Sequence, residues 1–276
     1  MVVVLDIKKL KGTGVRGRLI SLFRRSRTER EIKSIDDISV LNIKHRYYHG
    51  NFNFKKIYPY IREVSDTVLC RENIIPENYP IERFCDNTLN IKLMENFILD
   101  ILASFPTDSL KICVHDPLGE CHEFIEKLFA FVSKITVSTK MSCFYGKRAA
   151  AYYKNTGGTL GIVNTPDDLP PCDMLIYRNK INALPTQSAF IFTAYKPDID
   201  THSKIIYKYI PRFPDEYRGI LPENTDRNYF LCALYSLCGK NELDKLVPEI
   251  CISTEGVLSK KYLMHIMMNT DNTDNK

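Results

Sequence analysis

The sequence predicts an α/β protein whose middle section forms a Rossmann-like, mostly parallel sheet flanked by helices. Short apolar, β-branched runs alternate with segments of helical periodicity between residues 91 and 200. The connections between them are short, and strand–helix–strand repeats need crossovers that favour parallel pairing. Hydrophobic residues make up 44% of the chain and charged residues 26%, which is typical of globular proteins and argues against wholesale disorder.

The Rossmann-like core is predicted over residues 91–200. A helix at 91–104 has apolar residues at intervals of three and four, and Pro106 ends it. Strands are predicted at residues 110–115, 135–139, 159–163, 173–177 and 188–193, and helices at 121–134 and 145–155. Because crossover connections are right-handed, the simplest topology is a doubly wound sheet with strand order 3-2-1-4-5.

Two further regions flank this core. Residues 1–90 are predicted to form a smaller α/β lobe, with strands at 2–6, 39–43 and 67–70 and a helix at 53–64. Residues 201–268 are predicted to add an edge strand at 204–210 and helices at 226–238 and 260–268, all packing on the core. Thr225 or Asp226 would cap the first of these helices, Ser259 would cap the second, and the tail at 269–276 is predicted to be disordered.

The sequence predicts a cytoplasmic protein without a membrane span. The N-terminal apolar run precedes the first charges, which is the reverse of a secretory signal. Nine cysteines, an odd number with no CxxC pair, argue against a disulfide framework. Cys113, His115, Cys121 and His122 are close in sequence, but neighbours on a helix diverge. The prediction is therefore buried cysteines and no metal site.

The basic residues are concentrated in the first part of the chain. Residues 1–34 contain ten basic and three acidic residues, a net charge of +7, whereas the whole chain carries +5. This segment could contact nucleic acid, but Glu29 and Glu31 interrupt it and no known nucleic-acid motif accompanies it. A solvated charged surface is the favoured interpretation.

Two glycine-containing turns raise the question of dinucleotide binding. Residues 12–17 match GxGxxG formally, but five residues separate the first strand from the glycines, so a basic hairpin or loop is the simpler interpretation. The turn HDPLGEC at 115–121 has the right context, with a strand before it and a helix after it. Only Gly119 remains of a phosphate-binding turn, and Asp116 and Glu120 place negative charge where a phosphate would bind.

A resemblance follows from the segments LKICVHDPLGECHEFIEKLFAFVSKITVSTK and GGTLGIVNTPDDLPPCDMLIYRN. Over roughly 85 residues they resemble, in layout, the dinucleotide-binding half of Rossmann enzymes such as shikimate dehydrogenase and glutamyl-tRNA reductase. The resemblance implies NADP as cofactor and reduction of a carbonyl or thioester. It implies cofactor contacts at Gly119, Thr139 and Lys140, whereas the glycine-rich turn and the catalytic residues of these enzymes have no counterpart here.

Ligands of open α/β sheets bind beyond the carboxyl ends of the strands, where the strand order reverses. This rule places six polar residues around the predicted crevice: His115, Asp116, Asn164, Thr165, Arg178 and Asn179. His115 and Asp116 could act as acid and base, although Asp116-Pro117 is also an ordinary turn sequence. Asp167-Asp168 is interpreted as a solvated turn in preference to a cation site.

Three functional hypotheses remain open. The first is a non-catalytic module with an eroded dinucleotide site that binds a small ligand or a protein partner. The second is an NADP-dependent oxidoreductase that uses Thr139 and Lys140 to act on a small carbonyl compound. The third is nucleic-acid binding through residues 1–34, which predicts strongly salt-dependent affinity.

Overall fold

A computed structural model describes residues 1–10, 26–48, 52–104, 110–181, 188–198 and 203–270. Its contacts divide the chain into two compact units. The first unit comprises Met1–Leu89 and Phe213–Leu243, and the second comprises Asn90–Arg212 and Asp244–Lys276. The domain limits given above stay a prediction, and each unit is described below by itself.

The described residues form strands and α-helices throughout both units. The strands are β1 (Val2–Lys9), β2 (Arg27–Ile35), β3 (Ile38–Tyr47), β4 (Thr67–Leu69), β5 (Glu82–Arg83), β6 (Ile112–His115), β7 (Lys134–Ser138), β8 (Thr159–Val163), β9 (Cys172–Tyr177), β10 (Ser188–Thr193), β11 (Lys204–Pro211), β12 (Pro248–Ser253) and β13 (Gly256–Ser259). The α-helices are α1 (Thr88–Leu102), α2 (His122–Leu128), α3 (Ser142–Thr156), α4 (Arg227–Cys238) and α5 (Lys260–Thr270).

The second unit contains an eight-stranded sheet in the order β8-β7-β6-β9-β10-β11-β12-β13. Strands β6 to β11 are parallel, and β12 and β13 continue the sheet antiparallel. The central strands are apolar on both faces, and Val114, Ile176 and Phe192 are fully buried, as expected for a covered parallel sheet. The Rossmann-like fold class is confirmed, and the first five strands of this sheet follow the predicted order.

Two details of the second unit differ from the predictions. Strand β11 was expected at the edge of the sheet, but β12 pairs with it and β13 forms the edge. The alternation of polar and apolar residues along β11 therefore reflects a sheet face that is only half covered, and not an unpaired edge. Helix α2 ends at Leu128 instead of residue 134, because Ala130 and Phe131 donate to carbonyls only three residues back, on Lys127 and Leu128, and so tighten its end.

The first unit contains a five-stranded sheet in the order β2-β3-β1-β4-β5. Strand β1 pairs in parallel with β3 and β4, and β2 pairs antiparallel with β3. One face of this sheet packs on a cluster that includes Phe54, Ile57 and Ile61. The helix predicted at 53–64 is wrong, since these residues form two 3-10 turns, at Phe54–Lys56 and Tyr58–Tyr60. Pro59 explains the difference, because it lacks the N–H that a continuous helix would need there.

Helix ends follow the local sequence. Asp226 accepts a hydrogen bond from Tyr229 N at 3.0 Å as the N-cap of α4, and Gly239 ends that helix with φ of 65°. Ser259 Oγ accepts from Tyr262 N at 3.2 Å and caps α5. No helix among the described residues is long and apolar enough to cross a membrane. The predicted Gly12–Gly17 motif and most of the predicted tail lie outside the described residues.

Candidate functional site at the carboxyl ends of the parallel strands

The turn that follows β6 is organised around the side chain of Asp116. This residue is 1% exposed. Its Oδ1 accepts from the backbone N–H groups of Gly119 and Glu120, both at 3.1 Å, and its Oδ2 accepts from Cys121 N–H at 2.8 Å. In a dinucleotide-binding turn such backbone amides face the pyrophosphate. Here these amides donate instead to the carboxylate of Asp116.

Tyr145 on α3 completes this arrangement. Its phenol donates a short hydrogen bond to Asp116 Oδ2. Burial, and then the hydrogen bond to Asp116, raises the pKa of the Tyr145 phenol, so it remains a donor. Burial also raises the pKa of the Cys121 thiol, and the Asp116 carboxylate adds to this effect. Cys121 is therefore a protonated thiol and not a nucleophilic thiolate.

Gly119 retains the backbone geometry expected of a glycine in such a turn. Its φ is +79°, in the left-handed region where side chains with a Cβ are strained. A Cβ at this position would also lie 3.4 Å from Cδ1 of Phe144. The glycine thus allows the turn to fold back on Asp116.

Arg178 directly follows β9, at the point of the sheet where the strand order reverses. Its Nη1 donates to the carbonyl oxygen of Glu120 at 2.6 Å and lies 3.8 Å from Glu95 Oε1 on α1. Its Nε lies 3.6 Å from Glu120 Oε2, beyond hydrogen-bond distance. The side chains of Arg178 and Glu95 are 17% and 7% exposed, so this ion pair lies largely out of water. The Arg178 guanidinium is therefore held in place by the carbonyl oxygen of Glu120 and by Glu95.

His115 lies on the opposite face of the sheet from Asp116, because consecutive residues at a strand end point in opposite directions. Its ring contacts Tyr177, with centroids 4.4 Å apart, and its Nδ1 lies 3.4 Å from Ser138 Oγ. Burial lowers the pKa of His115; Asp116 opposes this shift and Lys140 adds to it. The imidazole is therefore neutral at pH 7 and able to accept a proton.

The other predicted site residues are used locally or face solvent. Thr139 is 1% exposed, and its Oγ1 accepts from Met141 N at 2.9 Å, so its hydroxyl is engaged within its own turn. Lys140 is exposed next to it. Asn164 accepts from Ser142 Oγ at 2.7 Å, and Thr165 donates to Asp168 Oδ2 at 2.8 Å.

The structure brings together only part of the predicted set. Asp116, Gly119 and Arg178 surround one turn, whereas His115 lies on the other face, and Thr139, Lys140, Asn164 and Thr165 follow β7 and β8. Asn179 contributes a backbone oxygen, which lies 3.5 Å from Thr193 Oγ1. The sequence analysis misses Tyr145 and Glu95, because it predicts only that they lie within helices. No pattern in the sequence assigns these two residues a role at the turn.

The predictions on metal binding and on the basic segment concern residues that the structure describes only in part. Among the described residues, no group of three or more His, Cys, Asp or Glu side chains is placed to hold a metal ion. The part of the basic segment that the structure describes lies on β1 and β2. Arg27 pairs there with Glu29 at 2.9 Å, and Arg30 lies over the ring of Tyr60, 4.7 Å from its centroid.

Comparison with known proteins identifies no family. No family model matches the chain, and no curated protein matches it. Among solved structures, the chain is similar to the L-tryptophan dehydrogenase from Nostoc punctiforme. The two share 12% sequence identity over 88% of this chain and 77% of that chain, with a TM-score of 0.35.

Proposed function

We propose that this protein is a non-catalytic binding module with a Rossmann-like sheet that does not take up a dinucleotide at the first turn. The observation that carries the proposal is the Asp116 carboxylate, which accepts hydrogen bonds from the backbone amides of residues 119, 120 and 121. The ligand is then a small molecule or a protein partner.

The energetics of this turn favour the proposal. Each amide that would donate to a phosphate oxygen already donates to an ionised group, and such hydrogen bonds contribute about 1.5–3 kcal/mol each. A pyrophosphate would have to displace Asp116 and leave its carboxylate, together with Glu120, beside its own negative charge. Like charges at such short range in a partly buried site repel strongly. A dinucleotide would therefore lose the anion contact on which this class of site depends.

Thermal unfolding with millimolar NAD, NADP, ATP or S-adenosylmethionine tests the proposal. A ligand that binds only the folded state raises the midpoint by an amount set by the ratio of its concentration to its dissociation constant. We expect no shift with any of the four. A saturable shift with NAD or NADP at micromolar affinity would overturn the proposal.

The alternative function, an NADP-dependent oxidoreductase, rests on the exposed Lys140, two residues after the end of β7. This is the position at which a cation could contact the 2′-phosphate of NADP. It predicts a midpoint shift with NADP and not with NAD, lost in Lys140→Gln. Lys134→Gln, at the other end of β7 and also exposed, is the matched control and should leave the shift intact.

A further inference from the structure

A small polar cavity lies within the first unit, on the face of its sheet that does not carry the Phe54–Ile61 cluster. Its volume is about 60 Å³. Strands β2 and β3 and residues 220–223 line it. Val40, Ile220 and Pro222 contribute its apolar part, and its polar lining consists of Glu31, Lys33, Asn42, Lys44 and Glu223.

The strand register explains why these side chains meet. Val40, Asn42 and Lys44 alternate along β3 and so share one face, while Leu41 and Ile43 enter the core on the other. In the antiparallel pair, Glu31 lies opposite Asn42 and Lys33 opposite Val40. The register places the Asn42 amide and three charged groups around one space, and Glu223 from residues 220–223 adds a fourth charged group.

Asn42 is the unusual member of this set. It is 4% exposed, and among the described residues no hydrogen-bond donor lies within reach of its Oδ1. Buried side-chain oxygens without a partner are rare in folded proteins because the lost hydration is not replaced. A donor supplied from outside the chain would remove this penalty.

The charged groups approach one another without closing into tight pairs. Lys44 Nζ lies 3.4 Å from Glu223 Oε2 and 3.5 Å from Glu31 Oε2, and Lys33 Nζ lies 3.6 Å from Glu31 Oε1. Tight charge-assisted hydrogen bonds are about 2.7–2.9 Å long. Burial opposes the charge of Lys44, but Glu223 and Glu31 outweigh it and raise its pKa, so the ammonium remains charged. The lining therefore carries two positive and two negative groups whose hydrogen-bonding capacity is only partly used.

We propose that this cavity binds the head group of a zwitterionic small molecule, of which an α-amino acid is the simplest example. The ligand ammonium donates to Asn42 Oδ1 and to the carboxylate of Glu223, and the ligand carboxylate accepts from Lys44 and Lys33. The proposal goes beyond the function proposed above and does not depend on whether the second unit binds a nucleotide.

Size and charge select this class of ligand. One water needs about 10–15 Å³ of such volume, so the cavity has room for a head group but not for a whole nucleotide. A lone metal cation is a poor match, because the Lys44 ammonium already lies between the two carboxylates. A zwitterion matches the balanced lining without adding net charge.

The test uses the full chain, with calorimetry and the NMR signals of the Asn42 side-chain amide as the two readouts. The probes are glycine, L-alanine, L-lysine and L-glutamate at millimolar concentration, with methylammonium and acetate as half-ligands. We expect at least one amino acid to give saturable heat and a saturable shift of the Asn42 signals, and the half-ligands to bind at least about tenfold more weakly.

Variants locate the site. Glu223 is 81% exposed, so Glu223→Gln keeps the fold, and it should weaken amino-acid binding about tenfold through loss of a charge-assisted hydrogen bond. Glu63→Gln, a similarly exposed carboxylate of the first unit outside the cavity, is the control and should bind as wild type. The proposal is overturned by no saturable binding, by equal affinities in the two variants, or by methylammonium binding as tightly as the amino acids. None of these outcomes bears on the nucleotide test of the second unit.

Discussion

Replacing Asp116 with Ala removes the acceptor on which the turn after β6 depends. Four donors lose their partner: the amides of residues 119, 120 and 121 and the phenol of Tyr145. Water can reach the part-buried amide of Glu120, whereas the other three donors are buried. A buried donor left without a partner costs about 1–3 kcal/mol, and breaking a buried charged contact costs about 3–5 kcal/mol in total. We expect Asp116→Ala to destabilise the protein by about 3–5 kcal/mol, and Asp116→Asn by less, because one oxygen acceptor remains.

Urea unfolding followed by circular dichroism measures the total loss, and amide hydrogen exchange at Gly119 and Cys121 shows whether the loss is centred on the turn. Asp168→Ala is the matched control in the same unit. Asp168 is exposed, and its Oδ2 accepts a hydrogen bond from Thr165 Oγ1, so its removal should change stability by about 0.5 kcal/mol or less. Equal effects of the two substitutions, or unchanged exchange at Cys121, would refute the role assigned to Asp116.

Two further predictions concern packing and pH. Gly158→Ala should destabilise the protein by about 1–3 kcal/mol, since the added Cβ would lie 2.2 Å from Cδ1 of Phe129. Gly146→Ala is the control: it has open space around it inside α3 and should be neutral or stabilise the protein by up to about 1 kcal/mol. Equal unfolding midpoints of the two variants in urea would contradict this. Burial, with Lys56 and Arg46 adding to it, lowers the pKa of His45 below its ordinary 6.5, so the unfolded state binds more protons below that pH. The contribution of His45 to the free energy of unfolding should therefore be fully present above about pH 6.5 and be lost as the pH falls from there to the pKa of His45 in the folded state. If a His45→Gln variant shows the same dependence of the free energy of unfolding on pH, the assignment is wrong.

The sequence was most informative where its periodicity and its topology rules agree. The strands at residues 110–115 and 173–177 could be predicted because each is short, apolar and followed by a turn, and handedness then decides their order. The helix at 53–64 was predicted wrongly, because apolar residues at a spacing of three and four are compatible with consecutive 3-10 turns as well as with an α-helix. The hairpin of β12 and β13 was missed because Glu249 interrupts the apolar residues of β12 and β13 is only four residues long.

The candidate site was less predictable than the fold. That Asp116 sets negative charge at the turn follows from the sequence alone. The sequence does not show that this carboxylate turns inward and accepts hydrogen bonds from three amides. This arrangement depends on the positive φ of Gly119 and on Tyr145, which lies 29 residues further along the chain. Asn42 illustrates the same limit, because an amide in an apolar strand does not indicate whether its partner is a neighbouring strand, water or a ligand.

The first unit is assembled from two stretches of chain, and this has a consequence for biosynthesis. Tyr229 Oη on α4 donates to the carbonyl oxygen of Phe84 at 2.7 Å, and Lys240 pairs with Asp37 at 2.7 Å. When residue 89 leaves the ribosome, about 150 further residues must be translated before residue 243 follows, which takes roughly 10–30 s at typical rates. Throughout that interval the nascent N-terminal sheet lacks the helix that belongs to it. Co-translational folding therefore cannot complete this unit first, although it begins at the first residue of the chain.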